Sequence, residues 1–142
     1  MKIQSTRLGE IEINEKDILN IPEGLLGFPD YKRYAWVKSI DQDSPIELLQ
    51  SVDDSDLTFI LTDPFLFKVD YAFDLQEEWK SKLDIQFLKQ VAVRVIITAR
   101  SNNQTSINLK APLIINMENH HSSQIILDRP EYVLQYVIGE GE

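Results

Sequence analysis

Apolar residues recur at every second position through most of this chain, in short runs cut by turn-forming residues. The longest is Val91 to Ala99, where Val91, Val93, Val95 and Ile97 face one way and Ala92, Arg94, Ile96 and Thr98 the other. Successive side chains of a β-strand point to opposite faces, so this spacing predicts a strand. Ile3, Ile11 and Ile13 alternate with polar neighbours on either side of a turn at Leu8-Gly9-Glu10. Asp17 to Pro22, Tyr34 to Val37, Ile46 to Ser51 and Leu57 to Thr62 read as further strands, with polar connectors at Asp41 to Pro45 and Asp53 to Asp56. Beyond the Asp63-Pro64 turn signal, Phe65, Phe67, Val69, Tyr71 and Phe73 keep the same period and predict a long extended run. Thr105 to Leu109, Leu113 to Asn116 and Gln124 to Leu127 complete the set after a turn at Ser101 to Gln104. Glu131 to Ile138 reads as a last strand or a short helix.

Helical signals are few. Leu75, Trp79 and Leu83 stand four apart, Gln76 to Lys82 are good helix formers, and Asp74 with Glu77 has the form of a capping box. Ile85 to Lys89 and Pro29 to Arg33 are each long enough for a single helical turn. Glu23 to Pro29 (EGLLGFP) holds two of the five glycines and reads as a loop with special backbone angles. About ten short strands with regular turn signals predict a mainly β protein, a compact antiparallel β-barrel-like domain with one or two short helices. With 142 residues the chain is one domain over 1–142, with 139–142 as a frayed tail.

Composition narrows the function. The chain has no cysteine, which removes disulfides, thiolate metal sites and cysteine nucleophiles. The first residues lack the apolar core of a signal peptide, and no stretch approaches the roughly 20 apolar residues of a membrane span, so the cytoplasm is the expected location. The net charge of −9 disfavours direct binding to nucleic acid or anionic lipid and favours basic partners. Glycine is absent between Phe28 and Ile138, and Gly24-Leu25-Leu26-Gly27 lacks the lysine and helix of a phosphate-binding loop. His120 and His121 are the only histidines, adjacent in a polar loop, where they are expected to face solvent rather than share a metal. Asp53-Asp54-Ser55-Asp56 lacks the glycine and distal glutamate of a calcium loop and reads as an Asp-rich turn. Trp36 and Trp79 are expected in the core, as is Phe65. No catalytic group, metal or cofactor is expected.

Eleven acidic residues lie between Asp41 and Glu78, and only Lys68 opposes them. This region is either a solubilising face or a docking surface for a basic protein. Asp63 belongs to it, and Asp70, Asp74, Glu77 and Glu78 flank the strand-to-helix junction as its best candidates for partner contact. Asn108, Lys110, Asn116 and Gln124 are polar residues set among apolar strand positions. Tying loop backbone near Pro112 is one role for them. Contact with a partner is the other, and Asn108, Lys110 and Asn116 join the candidate set on that account.

Several segments together resemble the FliW family of flagellar assembly factors. They are Ile21 to Phe28 (IPEGLLGF), Leu48 to Ser51 (LLQS), Leu57 to Ile60, Thr62 to Phe65 (TDPF), Asp70-Tyr71, Asn108 to Pro112 (NLKAP) running on to Asn116, and Gln124 to Leu127 (QIIL). Leu26 stands where the family commonly has proline. The resemblance covers nearly the whole chain. It implies a compact, barrel-like, non-enzymatic β protein of the cytoplasm; a monomer when free is the simplest expectation for the chain. It also implies two partners bound in a mutually exclusive way: flagellin, and CsrA, a small basic repressor of translation that the factor antagonises. A flagellin chaperone with no role in translation is the alternative.

Overall fold

The computed structural model describes residues 1–38, 45–99 and 103–140, with Glu140 described by its backbone alone. Among the described residues there are eleven strands: β1 (Lys2–Ser5), β2 (Gly9–Glu12), β3 (Ile18–Asn20), β4 (Arg33–Lys38), β5 (Glu47–Ser51), β6 (Thr58–Thr62), β7 (Val91–Ala99), β8 (Gln104–Ile107), β9 (Leu113–Asn116), β10 (Ser122–Gln124) and β11 (Tyr136–Glu140). The single α-helix among the described residues is α1 (Glu77–Lys82), and 3-10 turns occupy Glu15–Asp17, Pro64–Leu66 and Leu88–Gln90. β1 and β2 form a two-stranded sheet with Ile3 opposite Ile11. The other nine strands form one antiparallel sheet running β10-β9-β7-β6-β5-β4-β3, with β8 between β7 and β11.

β7 is the hub of this sheet. Its first half, Val91 to Arg94, pairs with β9, and its second half pairs with β6 and β8. The alternation along it divides two cores. Val91, Val93, Val95 and Ile97 pack with Tyr71, Leu83, Ile107, Leu109, Ile114 and Tyr132, whereas Ala92 and Ile96 pack with Leu19, Tyr34, Trp36, Leu49 and Leu61. β9 does the same, with Ile114 in the first core and Leu113 and Ile115 in the second. A third cluster of Ile3, Ile13, Ile18 and Ala35 fastens the small sheet to the large one. Each fully buried Leu or Ile contributes about 1.5–3 kcal/mol relative to exposure. Arg94 interrupts the apolar face, and pairing offsets part of the cost of burying its charge. Its Nε donates to Glu47 Oε1 at 2.8 Å, and its guanidinium lies 5.5 Å from the Trp36 ring centre. Trp36 Nε1 donates to the same carboxylate at 2.9 Å.

The sheet is curved but is not a closed barrel, which corrects the barrel-like expectation. It ends at β10 and β3, and among the described residues no ladder joins those edges. A single parallel bridge, Asn20 to His121, spans the gap, with the Asn20 N–H donating to the His120 carbonyl at 2.9 Å. A bridge of one pair cannot close a ladder.

Several local expectations also change. The run from Phe65 to Phe73 is not a strand. Asp63 Oδ1 accepts from the Phe65 N–H at 2.9 Å and Pro64 opens a 3-10 turn, so the chain coils, turns again at Val69-Asp70 and runs irregularly to α1. Phe65 is 41% exposed rather than in the core. Gln76, not Asp74, precedes α1, and it makes no side-chain cap. Pro29 to Arg33 forms no helical turn, because the Leu25–Phe28 bridge tightens the loop and Arg33 already pairs in β4. The strand expected over Gln124 to Leu127 ends at Gln124. Pro112 offers no N–H to continue the ladder, and Ile125 and Leu127 instead donate to the Pro112 and Lys110 carbonyls. The helical alternative for Glu131 to Ile138 gives way to β11, in which Gly139 and Glu140 pair with β8 rather than fraying. Asp41, Asp43 and most of the Asp41 to Pro45 connector lie outside the described residues, as do the start of the turn at Ser101 and the tail at 141–142. Among the described residues no helix is long and apolar enough to cross a membrane.

Candidate functional site

The eight candidate residues fall into two groups. Around α1 the carboxylates are exposed. Asp70 pairs with Lys68 at 3.2 Å with its own side chain 78% exposed, and this carboxylate holds the ammonium above its ordinary range. Glu77 pairs with Lys80 at 3.2 Å, and Glu78 with Lys82 at 3.1 Å. Such exposed pairs are screened by solvent and contribute little, so they leave these carboxylates free to exchange partners. Asp74 lines a groove of mixed character with Gln76, Asp128 and Arg129 on its polar side and Phe73, Trp79 and Ile125 to Leu127 on its apolar side. Trp79 is half-buried against the core beneath Lys82, whose Nζ lies 4.7 Å from its ring. Asp63 stands apart from these in role, since its carboxylate caps the turn that follows.

The residues of the second group tie backbone segments together. Asn108 Oδ1 accepts from the Lys110 and Ala111 N–H groups at 3.1 and 3.0 Å, forming the turn before Pro112. Lys110 Nζ donates to the Leu127 carbonyl at 3.3 Å. Gln124 joins this loop to the glycine loop, donating to the Ala111 carbonyl at 3.0 Å and accepting from the Leu26 N–H at 2.8 Å. Asn116 is 1% exposed, a burial that favours the backbone-tying role over partner contact. Its Nδ2 donates to the Leu83 and Asp84 carbonyls at 2.8 and 3.2 Å, and its Oδ1 accepts from the Glu118 N–H at 2.9 Å. This side chain holds the end of α1 against β9. Asn116→Asp places a carboxylate oxygen against two carbonyls, and a loss of about 2–3 kcal/mol is expected in urea unfolding. Binding per folded molecule is expected to stay unchanged; weaker binding at full stability would return Asn116 to the interface.

The remaining polar constellations do structural work. His121 is exposed and His120 half-buried, with His120 at φ +61° and both held by backbone bonds at the β3–β10 seam. In the Asp-rich turn, Ser51 Oγ accepts from the Asp53 and Asp54 N–H groups at 3.1 and 3.0 Å. Burial pushes the Tyr34 hydroxyl up to about 12. Two features escaped sequence reasoning. Gln50 is fully buried and bridges two sheets, a role signalled only by a polar residue inside an apolar strand. Phe65, Leu66, Val69, Phe87 and Leu88 are exposed apolar side chains at two 3-10 turns, where the alternation pattern had suggested burial for Phe65.

A model of the FliW protein family matches residues 2–138. The chain belongs to the FliW family. It is 40% identical over 139 residues to the flagellar assembly factor FliW of Ruminiclostridium cellulolyticum, covering 97% of this chain and 94% of that one. It is 38% identical to the corresponding factor of Alkaliphilus metalliredigens over 141 residues, 99% of this chain and 87% of the other. The crystal structure of a flagellar assembly factor FliW superposes with a TM-score of 0.88 at 33% identity, over 98% and 97% of the two chains. The FliW-like segments of this sequence coincide with its scaffold: the glycine loop, the Gln50 hub, the Asp63 cap, and the Asn108 and Asn116 ties.

Proposed function

We propose that this FliW-family chain works in flagellar assembly without catalysis. It binds flagellin and CsrA in mutually exclusive complexes in the cytoplasm, and so relieves CsrA repression of flagellin synthesis. It is a monomer when free, and it contacts neither nucleic acid nor membrane directly. The observation that carries this reading is the likeness to flagellar assembly factors over nearly the whole chain, in sequence and in fold. The exposed carboxylates at Asp70, Asp74, Glu77 and Glu78 supply a negative face of the sign a basic repressor needs. Asp63, Asn108 and Lys110 complete the proposed contact set at positions where backbone ties fix their orientation.

Capture from a flagellated cell lysate, with mass-spectrometric identification, tests it. Flagellin and CsrA are expected in separate complexes, each displacing the other. Flagellin alone would support a chaperone with no role in translation, and neither protein would end the proposal. Charge reversal at Asp70, Asp74 or Glu77 to lysine is expected to weaken CsrA binding about three- to tenfold at low salt, with the difference shrinking as salt rises. Unchanged affinity in folded variants would remove the acidic docking face.

A further inference from the structure

An apolar groove of about 360 Å³ opens between the 3-10 turns at Pro64–Leu66 and Leu88–Gln90. Buried Tyr71 and Ile114 lie at its floor, and Phe65, Phe73, Leu75 and Leu88 line it. Leu88 is 74% exposed, and Leu66, Val69 and Phe87, beside the groove in the chain, are 60%, 88% and 60% exposed. Exposed apolar side chains gathered at one place and rimmed by polar groups mark an interaction surface.

The charge around the groove decides its occupant. Asp70 adjoins Tyr71, Asp74 stands between Phe73 and Leu75, and the Asp63 carboxylate holds the Phe65 N–H. At the other end Glu118 accepts from Gln90, which precedes Val91 of the lining. Of the cations close by, Lys68 is held by Asp70 at 3.2 Å and Arg129 by Glu131 at 3.3 Å, while Lys89 lies over the Phe87 ring. Carboxylate is therefore in excess. An acidic segment or an anionic lipid surface meets like charge here.

We propose that this groove binds a segment of a partner protein carrying two or three large aliphatic side chains flanked by lysine or arginine. The assignment rests on the partner-binding reading above and gives it a surface. Aliphatic side chains fill the space between Phe65 and Leu88, and the basic flanks face the carboxylates that neighbour the lining residues in the chain.

The test is a fluorescence-anisotropy titration of the full chain with a labelled synthetic peptide of three leucines between lysine pairs. A twin peptide has glutamate for lysine. Leu88→Glu and Phe65→Glu are read alongside, both at exposed positions of the lining. The lysine peptide is expected to bind at least about tenfold more tightly than its twin, and to lose about tenfold on either variant. Both variants add negative charge, so adventitious attraction of a basic peptide would strengthen on them instead. Equal binding of the twins, binding unmoved or strengthened by the variants, or no binding to the unaltered chain overturns the groove. Lysate capture separates this from the wider reading. If Leu88→Glu retains flagellin and CsrA as the unaltered chain does, the groove assignment fails and partner binding stands; if the unaltered chain captures neither, partner binding itself fails.

Discussion

Replacing Gly24 with alanine is expected to remove about 3–4 kcal/mol of stability, a large share of what a domain this size possesses. Gly24 sits at φ +69°, a left-handed conformation that costs an L-residue about 1–2 kcal/mol. The greater problem is space. A Cβ there would stand 2.5 Å from the Phe28 carbonyl oxygen and 2.7 Å from Pro29 Cα, both backbone atoms with no rotamer to escape into. Relief requires the loop to open, which strains the Gly24 N–H to Ile21 carbonyl and Phe28 N–H to Leu25 carbonyl bonds, each 2.8 Å. Leu25, 2% exposed, is carried in that loop and would be drawn from the second core. Gly27 is the control. It has φ +86° but open space beyond it, so Gly27→Ala is expected to cost only about 1 kcal/mol. Urea unfolding of the two variants measures the difference, and equal losses would contradict the packing argument.

Gln50→Leu is the second large effect, expected at about 3 kcal/mol or more. The side chain is fully buried, and every polar atom it carries is engaged. Oε1 accepts from Ser5 Oγ at 2.7 Å and from Thr58 Oγ1, while Nε2 donates to the Ser51 and Asp54 carbonyls, each at 3.1 Å. Leucine has nearly the same volume and supplies none of these bonds, so several buried groups lose their partner at about 1–3 kcal/mol each, partly offset by apolar burial. Ser5 belongs to β1, so the loss also loosens the small sheet. Faster amide exchange in β1 and β2 than in β7 is expected, together with a lower urea midpoint. A variant that lost less than about 1 kcal/mol, with uniform exchange, would show that the bridge is dispensable.

The candidate site was less legible than the fold, for a physical reason. Exposed carboxylates on α1 advertise charge but not purpose, because a solvated face and a docking face have the same composition. Polar residues inside apolar strands advertise a hydrogen bond but not its direction. Asn108 turned inward to the Lys110 and Ala111 amides near Pro112, as one reading held, whereas Asn116 reached across to the end of α1. Phe65 misled because alternation continued past a proline and a capping aspartate that turn the chain.

Local chemistry in the sequence was enough for the strand at Val91 to Ala99, the left-handed glycines of the EGLLGF loop, the Asp-rich turn and the absence of cysteine chemistry. Each depends on neighbours a few residues away. Tertiary structure alone decided that β7 divides two cores, that the sheet stops short of closure at Asn20 and His121, that Gln50 joins two sheets, and that apolar side chains from two distant turns share one groove. Those features come from segments far apart in the chain, whose contact depends on strand register and sheet curvature, and neither is written in any single run of residues.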